Sequence, residues 1–212
     1  MCSYEHHKDT FRTRSSGGKS GPHVSRPASG PIILEKPSSE AGEAPKKETP
    51  MSEIEELRQQ LRDAYKNRAM IYYHIYEELS RELGPERAEQ IMKRAIYRRG
   101  QERGQAFRQF APANLAGVRE AFLGHLPDEG RLFEPEVLAH DDTRLDIKFH
   151  RCPLREAWVE AGLPDDLVAT LCRIAAEVDY GLFQEAGFKF SADTWQPGGE
   201  GCCCLHIRPG TG

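Results

Sequence analysis

Near the C-terminus three consecutive cysteines, Cys202, Cys203 and Cys204, are separated from His206 only by Leu205. Thiols and an imidazole this close could ligate a metal, act as a nucleophile with its helpers, pair as disulfides, or fill a buried strand. Side-chain direction decides among these. Gly198 to Gly201 can form a tight turn, and Cys202 to Arg208 has no internal glycine or proline. The segment therefore reads as a strand with side chains alternating between two faces. On that reading Cys203, Leu205 and Ile207 share one face, and Cys202, Cys204 and His206 share the other. Adjacent cysteines then neither converge on one metal nor bond to each other.

Two further cysteines stand at positions that suit chemistry. Cys152 lies in "FHRCPLREAW", just after "RLDIKF" (Arg144 to Phe149), in which Leu145, Ile147 and Phe149 alternate with Arg144, Asp146 and Lys148. That alternation predicts a half-buried strand. Pro153 can open a helix and Gly162 can close it, so Cys152 falls at a strand-to-helix junction, where a helix N-terminus lowers a thiol pKa. The next helix, from about Pro164 to Phe183, has a bulky stripe of Leu167, Leu171, Ile174 and Val178. Its second stripe, Cys172, Ala175, Ala176 and Asp179, is small or polar. Cys172 and Asp179 are two turns apart on one face. Such a stripe leaves room for a ligand; the alternative is that Cys172 fills the core and Asp179 caps or forms a salt bridge.

These groups must be positioned by the rest of a 212-residue chain with a net charge of -4, which allows one ordinary domain plus tails and does not favour nucleic acid as a partner. Residues 1–50 are rich in Ser, Gly, Pro, Lys and Glu, so they are expected to be a disordered tail. They also read as a mis-called start, because Met51 directly precedes Ser52 and Glu55, a capping box that opens a helix. His6 and His7 read as part of that solvated tail. A single domain is expected over 51–212. No stretch has the ~18 apolar residues of a membrane helix, and no secretory signal is recognisable, so a cytoplasmic location is expected. The six cysteines lack the spacing of a disulfide framework and are expected to be thiols, available for ligation or nucleophilic attack.

Ile54, Leu57, Leu61, Ala64, Tyr72, Ile75, Leu79 and Leu83 recur at helical spacing, and "GPE" at Gly84 to Glu86 ends one helix and starts the next. The second helix carries Ala88, Ile91, Ala95 and Ile96, then Gly100 and Gly104, which predict close packing of another backbone. An Asn-capped helix around Leu115 to Leu126 is followed by a polar linker. Phe188 to Trp195 reads as a strand joined to the cysteine strand in a C-terminal hairpin. The expected class is α+β, with an N-terminal helical region packed on a small antiparallel sheet with helices.

"ELGPERAEQIMKRAIYRRG", "FHRCPLREAWVEAGLP", "LCRIAAEVDYGLF" and "CCLHI", in that order over about residues 55–208, resemble the L-2-amino-thiazoline-4-carboxylic acid hydrolase family. The resemblance implies hydrolytic opening of a cyclic isothiourea to N-carbamoyl-cysteine, with a small heterocycle as substrate. It also implies a site at Cys152, Cys172, Asp179, Cys203 and His206, with Cys204 where members often carry a polar group. Cleaving a C–N or C–S bond at an amidine-like carbon needs a nucleophile, a proton donor and an anion for the polarised N–H groups. A thiolate, a second thiol or histidine, and Asp179 supply them, and Cys203 is the leading candidate for an essential residue. The same Cys152, Cys172 and Cys203, with Asp179 or His206, could instead hold a divalent metal, zinc or manganese, that activates water. A non-catalytic sensor or carrier with a cysteine-lined cavity, a metal-binding domain and an adaptor protein remain open readings, as does assembly into a homo-oligomer.

Overall fold

The computed structural model describes residues 52–211; the expected disordered tail, with Cys2, His6 and His7, lies outside the described residues. Among the described residues five α-helices and four strands form an α+β fold. The helices are α1 (Glu53–Leu83), α2 (Pro85–Gly104), α3 (Leu115–Gly124), α4 (Pro153–Glu160) and α5 (Asp165–Glu185). The strands are β1 (Pro135–His140), β2 (Leu145–Phe149), β3 (Lys189–Asp193) and β4 (Cys204–Arg208), in the all-antiparallel order β1-β2-β4-β3. None of the described helices is long and apolar enough to cross a membrane.

The helix ends follow the local chemistry. The Ser52 hydroxyl accepts the Glu55 amide at 3.3 Å, and Asn114 caps α3 by accepting the Gly117 amide at 2.9 Å. Gly84 alone joins α1 to α2, with φ of 82° and Pro85 in the first turn of α2. The inward face of α1 differs from the expected stripe. Ala69 and Tyr76 are buried, with Tyr65, Tyr72 and Leu79 packed beside them, whereas Ile54, Leu57, Ile75 and Leu83 are exposed. The long helix offers two rival apolar rhythms, and packing on α4 and α2 selects the one that buries tyrosines.

The expected close approach at Gly100 and Gly104 is made by α5. A Cβ on Gly100 would lie 2.2 Å from the Val178 carbonyl oxygen, and one on Gly181 would lie 2.1 Å from that of Tyr97. The two backbones meet where neither can carry a side chain, which fixes how deep α5 sits.

The polar linker contains a strand that the sequence reading missed. β1 is an edge strand with Val137 and Leu138 exposed and a register irregularity between Val137 and Ala139, so it lacks the alternation that marks a half-buried strand. β2 and β4 are central and alternate as expected: Leu145, Ile147, Leu205 and Ile207 are all at most 1% exposed. These join Phe122, Phe183 and Phe190 in one core, while α1, α2, α4 and the first half of α5 surround a second core centred on Trp158 and Leu171. Cys152 packs against both.

Candidate functional site

Between the two cores lies a cavity of about 280 Å³. Cys152, Cys172, Asp179 and Cys203 all line it, brought from a junction, a helix and the approach to a strand. His206 does not. It lies on the outer face of the sheet, where Nδ1 is 2.8 Å from Asp146 Oδ1 and Nε2 is 3.1 Å from Asp193 Oδ2. The strand alternation that points Leu205 and Ile207 inward points His206 outward, so its inclusion in the site is corrected.

The alternation does not extend back through the cysteine run. β4 begins at Cys204, and Phe149 is opposed by two residues. The Cys202 amide donates to the Phe149 carbonyl at 2.9 Å, and the Phe149 amide donates to the Cys203 carbonyl at 2.8 Å. Two residues against one is the pattern of a β-bulge, which breaks the strict alternation of faces. Cys202 therefore turns inward, is 5% exposed, and lines the cavity with Cys203, their sulfurs 3.4 Å apart. The expectation that Cys202 faces away with Cys204, and that neighbouring cysteines cannot converge, is overturned. Gly201, at φ of 71°, supplies the turn into the bulge.

Cys152 is the N-cap residue of α4, in extended conformation with Pro153 next. The Cys202 thiol lies beside it in the cavity wall, and the Leu154 and Arg155 amides stand at the same helix start, without a side-chain capping bond. Together these outweigh burial and hold the Cys152 pKa below the ordinary thiol value. Cys172 behaves oppositely: burial pushes its pKa up, and the neighbouring sulfurs add to the effect. Cys202 is also pushed up, first by the neighbouring Cys152 and Cys203 thiols and then by burial. One thiol in the cavity thus favours ionisation while two resist it.

Asp179 lies on the small-residue stripe of α5, beside Ala175 and Ala176 in the cavity wall. Among the described residues no hydrogen bond or ion pair reaches its carboxylate, and burial raises its pKa to about 7, against the pull of Arg103. A half-buried carboxyl with no bonded partner is one that a ligand entering the cavity can satisfy.

Sequence reasoning missed the cationic part of the wall. Tyr65, Arg68 and Tyr72 reach the cavity from α1, Arg99 and Arg103 from α2, and His125 from beyond α3. Arg99 is bound to Glu102 at 2.6 Å, and Arg68 stacks on Tyr65 with its guanidinium carbon 4.6 Å from the ring centre. Among the described residues neither Arg68 nor Arg103 pairs with a carboxylate. The signal was available: Tyr65, Arg68 and Tyr72 follow i, i+3, i+7 spacing, and Arg99 and Arg103 are i, i+4 beside the packing glycines.

The metal alternative does not fit this geometry. Among the described residues no three His, Cys, Asp or Glu side chains are arranged to hold a metal ion. Cys152, Cys172, Cys203 and Asp179 share a wall without converging on one point.

Comparison with known proteins bears on this cavity. The family model described as L-2-amino-thiazoline-4-carboxylic acid hydrolase matches residues 64–207, which contain every cavity residue named above. No curated protein matches the chain.

Proposed function

Because the chain belongs to the L-2-amino-thiazoline-4-carboxylic acid hydrolase family, we propose that it hydrolyses a small cyclic isothiourea or amidine bearing a carboxylate, with Cys152 as nucleophile. One observation carries this reading: a thiol at a helix N-terminus and a carboxyl without a bonded partner share one small cavity. The volume of about 280 Å³ suits a single substituted ring, lying at the lower edge of ligand pockets. Cys203, the leading candidate from sequence, gives way to Cys152 because of the two only Cys152 stands at a helix N-terminus.

The chemistry follows from the charges. Asp179, ionised on pairing, accepts two N–H groups of the amidinium, the geometry that makes such pairs strong. Arg68 and Arg103 attract the ring carboxylate. Held this way, the C2 carbon is presented to the Cys152 sulfur, which adds to it. The ring C2–S bond breaks and the departing sulfur takes a proton from a neighbouring thiol. Water then attacks the same carbon, its released proton returns to the neighbouring thiol, Cys152 leaves as thiolate, and the product is the carbamoyl derivative of an open-chain thiol amino acid. One water is consumed and the enzyme is restored. Reduced cysteines are required throughout, and we place the reaction in the cytoplasm.

The test is to incubate purified protein with L-2-amino-thiazoline-4-carboxylate and follow N-carbamoyl-cysteine by mass spectrometry. Product is expected from the wild type and not from Cys152→Ser. Equal turnover by both would overturn the nucleophile assignment. Saturable binding without product would favour the carrier reading instead.

A further inference from the structure

Of the four cavity thiols the mechanism names a step only for Cys152. Cys202 is buried, lines the same cavity wall as Cys152, which packs against the core that holds it, and its sulfur lies 3.4 Å from that of Cys203. A second thiol held against a reactive one invites a different reaction. We propose that Cys152 and Cys202 form a dithiol–disulfide modification site driven by hydroperoxides, in which Cys152 is oxidised first and Cys202 resolves it. The inference that this silences the enzyme rests on the function proposed above; the modification itself does not.

The chemistry balances in two steps. The Cys152 thiolate attacks the terminal oxygen of a hydroperoxide, the O–O bond breaks, and Cys152 becomes a sulfenic acid while the peroxide is reduced to water or an alcohol. The Cys202 sulfur then attacks the Cys152 sulfur, the S–O bond breaks, and the Cys202 proton leaves with the hydroxyl as water. A dithiol reductant such as dithiothreitol returns the disulfide to two thiols by thiol–disulfide exchange, itself ending as a cyclic disulfide. Cys152 suits the first role because its partners favour the thiolate, the form that reacts with peroxides.

Geometry selects Cys202 as the partner. The two amide–carbonyl bonds between Phe149 and the Cys202–Cys203 pair, at 2.9 and 2.8 Å, tie the cysteine run to the chain three residues before Cys152. That tie holds the sulfurs in register without a loop closure. The rival bond between Cys202 and Cys203 is disfavoured despite their 3.4 Å sulfur contact. Consecutive Cα atoms are ~3.8 Å apart, inside the ~4.4 Å lower limit usual for a disulfide. Cys172 comes from a different element, α5, and lies outside this backbone tie.

The test uses the full chain, reduced and then treated with a slight excess of hydrogen peroxide. Remaining thiols are alkylated and the protein is digested with trypsin without reduction. The expected product is lighter by two hydrogens, with the Cys152–Arg155 peptide joined to the peptide carrying Cys202, and dithiothreitol restores the separate peptides. In Cys203→Ser the link persists; in Cys202→Ser it disappears and Cys152 advances to the sulfinic acid. Absence of any disulfide in the wild type overturns the proposal, as does a bond within the cysteine run, a link to Cys172, or a link lost in Cys203→Ser. The wild-type map is decisive even if a serine variant fails to fold. It requires no turnover, so it stands or falls separately from the hydrolase reading.

Discussion

Two regions of this molecule carry acids and their partners, and they hold them in opposite ways. On the outer face of the sheet Asp146 takes hydrogen bonds from Arg208 at 2.7 Å and from His206 at 2.8 Å. Burial alone would raise the Asp146 pKa, but these partners more than offset it and hold it below its ordinary value. In the cavity Asp179 has no such partner, and burial carries it up to about 7. The first acid is satisfied by its own fold and the second is not. An acid left without a bonded partner in a cavity wall is free to take one that enters the cavity, the role proposed for Asp179.

The contrast is broken most severely at the cavity. Cys152→Ala should lower kcat/KM by at least about 10³-fold while leaving the circular dichroism spectrum intact, since an acting nucleophile has no substitute. Asp179→Asn should cost about 10²-fold or more in kcat/KM. It should also remove the ionisation near pH 7 from the rate profile, because activity is expected to rise as Asp179 ionises through about 7. The same variant should gain stability. A carboxyl whose folded pKa is raised binds more protons in the native state than in the unfolded chain, so its charge destabilises the fold as pH climbs from the ordinary value to about 7. At pH 8 the melting temperature of Asp179→Asn should exceed that of the wild type by ~3 °C or more, and at pH 4 the difference should vanish.

Gly181→Ala tests the frame rather than the chemistry. Its Cβ would meet the Tyr97 carbonyl at 2.1 Å, a backbone contact that cannot swing aside. The helices must part, at about 2–3 kcal/mol, read as a lower midpoint in denaturant. The smallest effect belongs to the outer face. His206→Gln should leave kcat/KM within about twofold and cost at most ~1 kcal/mol. Its sign depends on pH. Burial lowers the His206 pKa, but the hydrogen bonds to Asp146 and Asp193 outweigh it and raise the value. The stability it contributes is therefore complete below ~6.5 and lost as pH rises through the folded value. Asp146 runs the other way: its contribution is present above its ordinary value and lost as pH falls. Thermal melts of the variant should differ from wild type most between about pH 4 and 6.5, and least at pH 8.

Much of this arrangement is legible in the sequence, and the gaps have physical causes. The junction at Cys152, the small stripe from Cys172 to Asp179 and the central strands all follow from short-range rules of capping and periodicity, and each is found where those rules predict. The outward turn of His206 follows from the same alternation that buries Ile207. Cys202 escaped because a bulge is set by the partner strand: only the position of Phe149 makes two residues oppose one. β1 escaped because an exposed edge strand has no face to encode. Arg68, Arg99 and Arg103 escaped for a third reason. Exposed arginines on helices ordinarily mean a solvated surface, and only the meeting of α1, α2 and α5 turns these toward a common space.

The central claim is that the cavity distinguishes its thiols and favours the thiolate of Cys152. Alkylation by iodoacetamide under native conditions, followed peptide by peptide between pH 5 and 10, measures this directly. Cys152 is expected to react first, with a rate that levels off below the pH at which an ordinary thiol ionises, while Cys172 stays slow across the range. If Cys203 or Cys204 is modified ahead of Cys152, or if the Cys152 rate continues to climb as an ordinary thiol's would, the cavity does not prepare Cys152 for attack and the account fails.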